Sequence, residues 1–132
     1  MAEFTEDKIQ AIWEKGLIDP EYDPQNVRKD ACGAWIIRNL YNHRENDFGW
    51  EIDHIYPESK LKDKVPQELI DDIKNLRPLN WKNNISKGAD YPTYRSKIKS
   101  KDDYNIDCEE EKTINEATQN IIKELFRDYR IL

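Results

Sequence analysis

Four residues of one short span are of the types that phosphodiester chemistry uses: Asp53 and His54, adjacent at the end of an apolar run, then Asn75 and Asn84. An aspartate offers a hard oxygen ligand to a divalent cation, and a neutral imidazole beside it offers a general base. Asn84, on a following helix, can add a second metal oxygen. The constellation suits metal-assisted phosphodiester hydrolysis, in which a cation neutralises charge at phosphorus and a base activates water. A lone Asp-His pair would more often be structural. The downstream string NLRPLNWKNNISKG, with strand and helix signals of its own, turns the reading toward function.

Those residues need elements to hold them. FGWEIDHIY and the earlier ACGAWIIRNLY are strand-like runs rich in aromatics and Ile, separated by the polar NHREND, and they read as an antiparallel pair that carries Asp53 and His54 at its end. LRPLNW is a second short strand, and Asn80 is a good N-cap for a helix through WKNNISK that Gly88 closes. A helical turn is expected after Pro66. Upstream, Thr5 can cap a helix over about residues 5–15, with Ile9, Ile12 and Trp13 on one face and Gly16 as the stop. LIDPEYDPQN, with two Asp-Pro steps, is loop. Downstream, Ile114, Ala117, Ile121, Leu125 and Tyr129 follow helical spacing, Thr113 with Glu116 forms a capping box, and the acidic CEEEK suits a first turn, which predicts an amphipathic helix over about 108–130.

The strand-borne Asp53-His54, the following Asn75 and the helical Asn84 together resemble the motif of HNH endonucleases. IWEKG, RKDACGAWI and GWEID look like the upstream signature of stand-alone bacterial and phage members, so the resemblance covers roughly residues 13–92. It implies an α+β domain built on a ββα-metal hairpin, with an additional antiparallel strand pair and flanking helices. It also implies Asp53 and Asn84 as metal ligands, His54 as general base, Asn75 as the residue that holds the histidine-bearing strand, and Mg²⁺ or Mn²⁺ as cofactor. The choice of Asn84 rests on its NxxK spacing to Lys87, and Asn83 remains the alternative by one position. The implied activity is cleavage of DNA. RNA cleavage, or a binding module with weak or no cleavage, are the alternatives, and targeting is left to other domains or a partner protein.

Composition frames this reading. The 132 residues suit a single domain over 1–132 with its motif core at about 33–92, and the mean hydropathy of -1.00 with 36% charged residues fits a water-facing surface. No apolar stretch approaches the roughly 20 residues of a membrane helix, and Met1 leads into AEFTEDKIQ without an apolar leader, so a cytoplasmic location is expected. Only Cys32 and Cys108 are present, far apart, and both read as reduced thiols, with no four-cysteine structural zinc and with Leu79 and Trp81 packing in its place. Net charge is -6, yet it is unevenly spread. Residues 1–27 hold two Lys/Arg against seven Asp/Glu and residues 102–132 hold four against nine, a net of -5 at each end; residues 28–101 hold 15 against 11, a net of +4. The motif therefore sits in the basic part, as a nucleic-acid footprint requires. Arg38, Arg77, Lys82 and Lys87 are candidate phosphate contacts. Trp35, Trp50 and Trp81 read as packing residues, and His43 as a solvated loop histidine.

Overall fold

Thr5 stops the incoming chain in extended geometry, and its side chain accepts a hydrogen bond from the Lys8 amide (3.2 Å), which starts helix α1 (Glu6–Trp13) with Ile9, Ile12 and Trp13 buried. A computed structural model describes residues 4–129 and 131. After α1 the chain loops back, and the buried Arg28 ties that loop together by donating to the carbonyls of Glu14, Gly16 and Pro24. Strand β1 (Val27–Lys29) then pairs antiparallel with β2 (Trp35–Ile37), joined by a turn in which Gly33 takes φ +85.

The pairing of β2 corrects one expectation. The ACGAWIIRNLY run does not form an antiparallel ladder with the run that carries Asp53 and His54: its ladder partner is the three-residue β1, and it meets the later run only through a single parallel bridge between Tyr41 and Trp50 and the bond from the Ile37 amide to the Phe48 carbonyl. A 3-10 turn at Arg38–Leu40 and a loop with Asn42 at φ 64 lead to Gly49, which delivers the chain into β3 (Trp50–His54). Gly49 has no room for a side chain, since a Cβ there would stand 1.9 Å from the His43 carbonyl oxygen. Gly49→Ala must displace backbone and is expected to cost about 1–3 kcal/mol, lowering Tm by roughly 5–15 °C in a thermal melt. An unchanged Tm would show that the loop yields freely.

Two short helices follow, α2 (Glu58–Leu61) and α3 (Gln67–Ile70), the second starting after Pro66 as expected. Strand β4 (Leu76–Asn80) returns antiparallel to β3, setting Asp53 opposite Arg77 and His54 opposite Leu76. Asn80 caps helix α4 (Trp81–Lys87), its side chain accepting from the Lys82 amide, and Gly88 ends the helix at positive φ.

The C-terminal third departs further from expectation. Thr93–Lys101 (β5) and Tyr104–Thr113 (β6) form a long antiparallel hairpin, so CEEEK lies in a strand and Thr113 ends that strand instead of capping a helix. The reason is pairing: Tyr94, Ser96 and Ile98 alternate inward along β5, and the glutamates of β6 face Lys97, Lys99 and Arg95 across the hairpin. Helix α5 (Glu116–Leu125) is capped by Asn115 and buries Ile122, with Phe126 just beyond its end; Ile121 and Tyr129 point outward. Of the expected apolar face, Ile114 is buried and Leu125 packs against the core, while Ala117, Ile121 and Tyr129 are exposed and Ile122 and Phe126 take their place; residue 130, where that helix was to end, lies outside the described residues.

Among the described residues the chain is a mixed structure of five α-helices and three two-stranded antiparallel sheets. The β3–β4 pair lies between two apolar clusters. Trp50 and Leu76 join Ile9, Ile12, Trp13 and Ile36 in one, while Leu79 joins Ile55, Tyr94, Ile114, Ile122 and Phe126 in the other. Trp35 and Trp50 are packing residues as expected, at 5% and 0% exposure. No helix among the described residues is long and apolar enough to cross a membrane.

Asp30 locks these parts together. Fully buried, its carboxylate accepts from the Cys32 and Ala34 amides at 2.9 Å, the Asn80 amide at 2.8 Å and the Asn83 side chain at 3.0 Å. Burial pushes its pKa up while those four N–H donors pull toward the ionised form. Neighbouring Cys32 is buried and free, its thiol pushed up to about 12 by burial and then by the Asp30 charge, so it is chemically quiet; Cys108 is also free.

Candidate functional site

Strand alternation decides which way each motif residue points. His54, last in β3, turns toward the linker helices, where its Nε2 meets Asp71 Oδ1 at 2.7 Å, both side chains being mostly buried. A carboxylate can only accept, so Nε2 carries a proton, and in the neutral ring Nδ1 is the unprotonated nitrogen. Asp71 is held in turn: Gln67 donates to its other oxygen (3.0 Å) and to Glu58 (2.8 Å). Sequence reasoning did not single out Glu58 or Asp71. They lie in the stretch between the motif's halves, and only the folding of α2 and α3 against the end of β3 brings them to the histidine.

Asn75 makes no approach to the cleft. Its side chain accepts from the Tyr56 amide (2.8 Å) and donates to the carbonyls of Tyr56 (3.2 Å) and Ile70 (3.0 Å), while its own carbonyl accepts from Ile55 (2.8 Å). These bonds brace the segment that leaves His54.

Helix α4 separates the two adjacent asparagines. Asn83 is fully buried, bonding Asp30 and the Ile98 carbonyl through its amide nitrogen and accepting from the Lys97 and Ile98 amides at 2.7 and 2.9 Å. It joins α4 to β5 and has no free oxygen. Asn84 faces the histidine side, its nitrogen 2.9 Å from Glu51 Oε1, and Glu51 is also gripped by Arg44. His54, Glu58 and Asn84 line two adjoining cavities of about 360 and 560 Å³; Asp53 adds to the first, Glu51 and Arg44 to the second.

Asp53 stands apart from this openness. It is 4% exposed, with Oδ2 at 2.8 Å from Arg77 Nε and Oδ1 at 3.2 Å from Lys87 Nζ. Lys87, itself buried, also donates to the His54 carbonyl, and burial pushes its pKa down against the pull of Asp53. Lys87 thus spends its charge inside the fold rather than on an external phosphate, and Arg77 commits its Nε to the same carboxylate. Arg38 is paired with Glu6 and Gln10, and Lys82 with Asp47. His43 sits in its loop beside Glu45, half exposed.

A divalent cation is tested by the donors present. His54, Glu58 and Asp71 each offer a ligand atom, all within 4.8 Å of one another, a set of one imidazole and two hard carboxylates. Asp53 reaches a cation only if Arg77 or Lys87 yields its oxygen, whereas Glu58, one oxygen of which accepts from the neutral Gln67 amide, has no ion pair among the described residues. The convergent set that could hold a cation is therefore His54, Glu58 and Asp71, of which Glu58 and Asp71 lie outside the sequence motif. Compared with family models, with curated proteins and with solved structures, the chain matches none.

Proposed function

We propose that this protein is a divalent-metal-dependent endonuclease that hydrolyses phosphodiester bonds in DNA. The observation that carries the reading is the His54–Asp71 contact, which fixes one tautomer of a histidine in a cleft that also holds Asp53, Glu58 and Asn84. In this reading His54 Nδ1 takes the proton from the attacking water, and Asp71 stabilises the imidazolium that results. Asp53 and Asn84, with Glu58 beside them, would hold the cation, Mg²⁺ or Mn²⁺. When bound, that ion would supply charge neutralisation at the phosphate and at the leaving oxygen. Asn75 keeps the strand end in register. The resemblance of the Asp-His, Asn, Asn string to HNH endonucleases supports the same assignment.

The direct test incubates the purified chain with plasmid, linear and single-stranded DNA and with RNA, with Mg²⁺, with Mn²⁺ and with EDTA. Metal-dependent nicking or linearisation is expected on DNA; cleavage of RNA alone would move the substrate class, and no cleavage with any metal would remove the reading. Asp71→Asn keeps the shape and removes the charge behind the histidine. It is expected to lower kcat roughly tenfold or more with little change in KM. Equal kcat for this variant would make Asp71 a structural neighbour only.

A second reading, a nucleic-acid-binding module without cleavage, draws on the double ion pair at Asp53. Calorimetric titration with Mn²⁺ separates the two: an enzyme binds the ion and loses affinity in Asp53→Asn, while a module binds DNA with no response to the ion. Charge on the hairpin bears on DNA affinity under either reading. Glu109 and Glu110 meet Lys97, Lys99 and Lys112, so the acidic tail neutralises part of the basic stretch. Changing Glu109, Glu110 and Glu111 to Gln frees those lysines and is expected to tighten DNA binding at low salt and steepen its salt dependence, each added phosphate contact contributing roughly 0.9 to the slope of log K against log salt. Equal affinity would place the hairpin away from the nucleic-acid path.

A further inference from the structure

We infer a second binding site, for a small organic anion with an apolar body, in the cavity of about 620 Å³ bounded by Lys15, Lys74, Arg77 and Lys112. It stands whether or not the chain cleaves DNA. Stretches distant in sequence meet there: the exit of α1, the 3-10 turn before β4, β4 itself, the end of β6 and the face of α5. No aspartate or glutamate lines it. In a chain whose net charge is -6, four cations gathered around one cavity without a lining acid are a local reversal of sign.

The cations are only partly satisfied. Arg77 gives its Nε to Asp53, but its Nη2 is buried with no hydrogen-bond partner. The guanidinium lies over the Tyr94 ring, 5.2 Å from its centroid, but Nη2 has lost its water without gaining an acceptor, so an acceptor reaching it would be favoured. Lys15 reaches only the carbonyls of Ile73 and Leu76, and Lys74 has no ion pair among the described residues. Lys112 shares Glu110, which lies outside the cavity lining. Burial and then the Arg77 charge push the Lys15 pKa down, with Asp72 opposing.

The body of the ligand follows from the walls. Ile55, Tyr94 and Ile114 form a buried floor, and Leu17, Ile73 and Ile121, at 53%, 38% and 46% exposure, stand at the mouth. A volume of this size lies within the roughly 300–1,000 Å³ usual for small-molecule sites, and apolar walls with a few charged groups are their usual chemistry. A nucleic-acid backbone fits less well. The cations surround a hollow instead of following a stripe, and the one aromatic ring, Tyr94, is 4% exposed and so offers no stacking face.

The test uses the full chain and two fluorescent probes that share one aromatic body: 8-anilinonaphthalene-1-sulfonate, which is anionic, and N-phenyl-1-naphthylamine, which is neutral. Saturable one-to-one binding of the sulfonate is expected, at least tenfold tighter than that of the neutral probe. The double variant Lys74→Glu, Lys112→Glu should weaken it at least tenfold with circular dichroism unchanged. Ile121→Asp, at an exposed position, should weaken both probes. Amide shifts on titration should cluster at residues 15–17, 73–78 and 112–121. Equal affinity for the two probes, no response to the charge reversals, or no saturable binding would each overturn the site. Displacement of the sulfonate by a single-stranded oligonucleotide but by no small organic carboxylate would also overturn it and make the cavity part of a nucleic-acid path.

Discussion

His54→Ala is expected to reduce metal-dependent DNA cleavage by roughly 10²- to 10⁴-fold, the range a general base contributes, while Tm moves by only a few degrees. The small stability change follows from the contacts. The imidazole is not a core residue, and its one side-chain hydrogen bond is to Asp71, which keeps its bond from Gln67 when the ring is removed. Losing such a bond costs about 1 kcal/mol. Calorimetry with Mn²⁺ on the same variant adds a separate readout. Retained ion binding with lost cleavage is the result a base produces. Loss of both would assign His54 to the ion together with Glu58 and Asp71, whose donor atoms already stand within 4.8 Å of it. A variant that cuts as fast as the parent would make the histidine structural.

The parts of this site that are legible in the sequence are those fixed by short-range rules. Asn80 as N-cap, Gly88 as stop, the Pro66 helix start and the LRPLN strand each depend on a few neighbouring residues, and each is found where local chemistry puts it. The β5–β6 hairpin is different. Its strands are so highly charged that CEEEK suits a helix start as well as a strand, and only the cross-strand partners Lys97, Lys99 and Arg95 decide the matter. The signal that was present is the alternation of Tyr94, Ser96 and Ile98, followed by Asp102 and Asp103 as a turn. Strand β1 is too short to carry a period at all.

Long-range placement hides the rest. Nothing in the spacing of Glu58 or Asp71 relates them to His54, because the intervening chain can be threaded in many ways until α2 and α3 pack. Arg77 and Lys87 carry the charge of phosphate contacts, yet β4 places Arg77 directly across from Asp53, and the inner face of α4 puts Lys87 on the same carboxylate. Charge states what a side chain can bind; only register states which partner it meets first.

The two adjacent asparagines should separate stability from activity. Asn83→Ala removes one of the four donors to the buried Asp30 and leaves the Lys97 and Ile98 amides without their acceptor. Each buried group left unpaired costs about 1–3 kcal/mol, so the sum is several kcal/mol and Tm should fall by roughly 10 °C or more. Asn84→Ala removes one donor from Glu51, which keeps Arg44, and the fold should be little changed. What Asn84→Ala should lose is cleavage, together with Mn²⁺ affinity, because its side-chain oxygen is one of few in the cleft open to a cation. Thermal melts, plasmid cleavage and calorimetry on the two variants decide between the positions. If Asn83→Ala remains as stable as the parent but is inactive, while Asn84→Ala is active, the ligand lies one residue earlier than proposed. If Asn84→Ala binds Mn²⁺ and cuts like the parent while Asn83→Ala unfolds, the cation is held without α4, by Glu58 and its neighbours on the linker side.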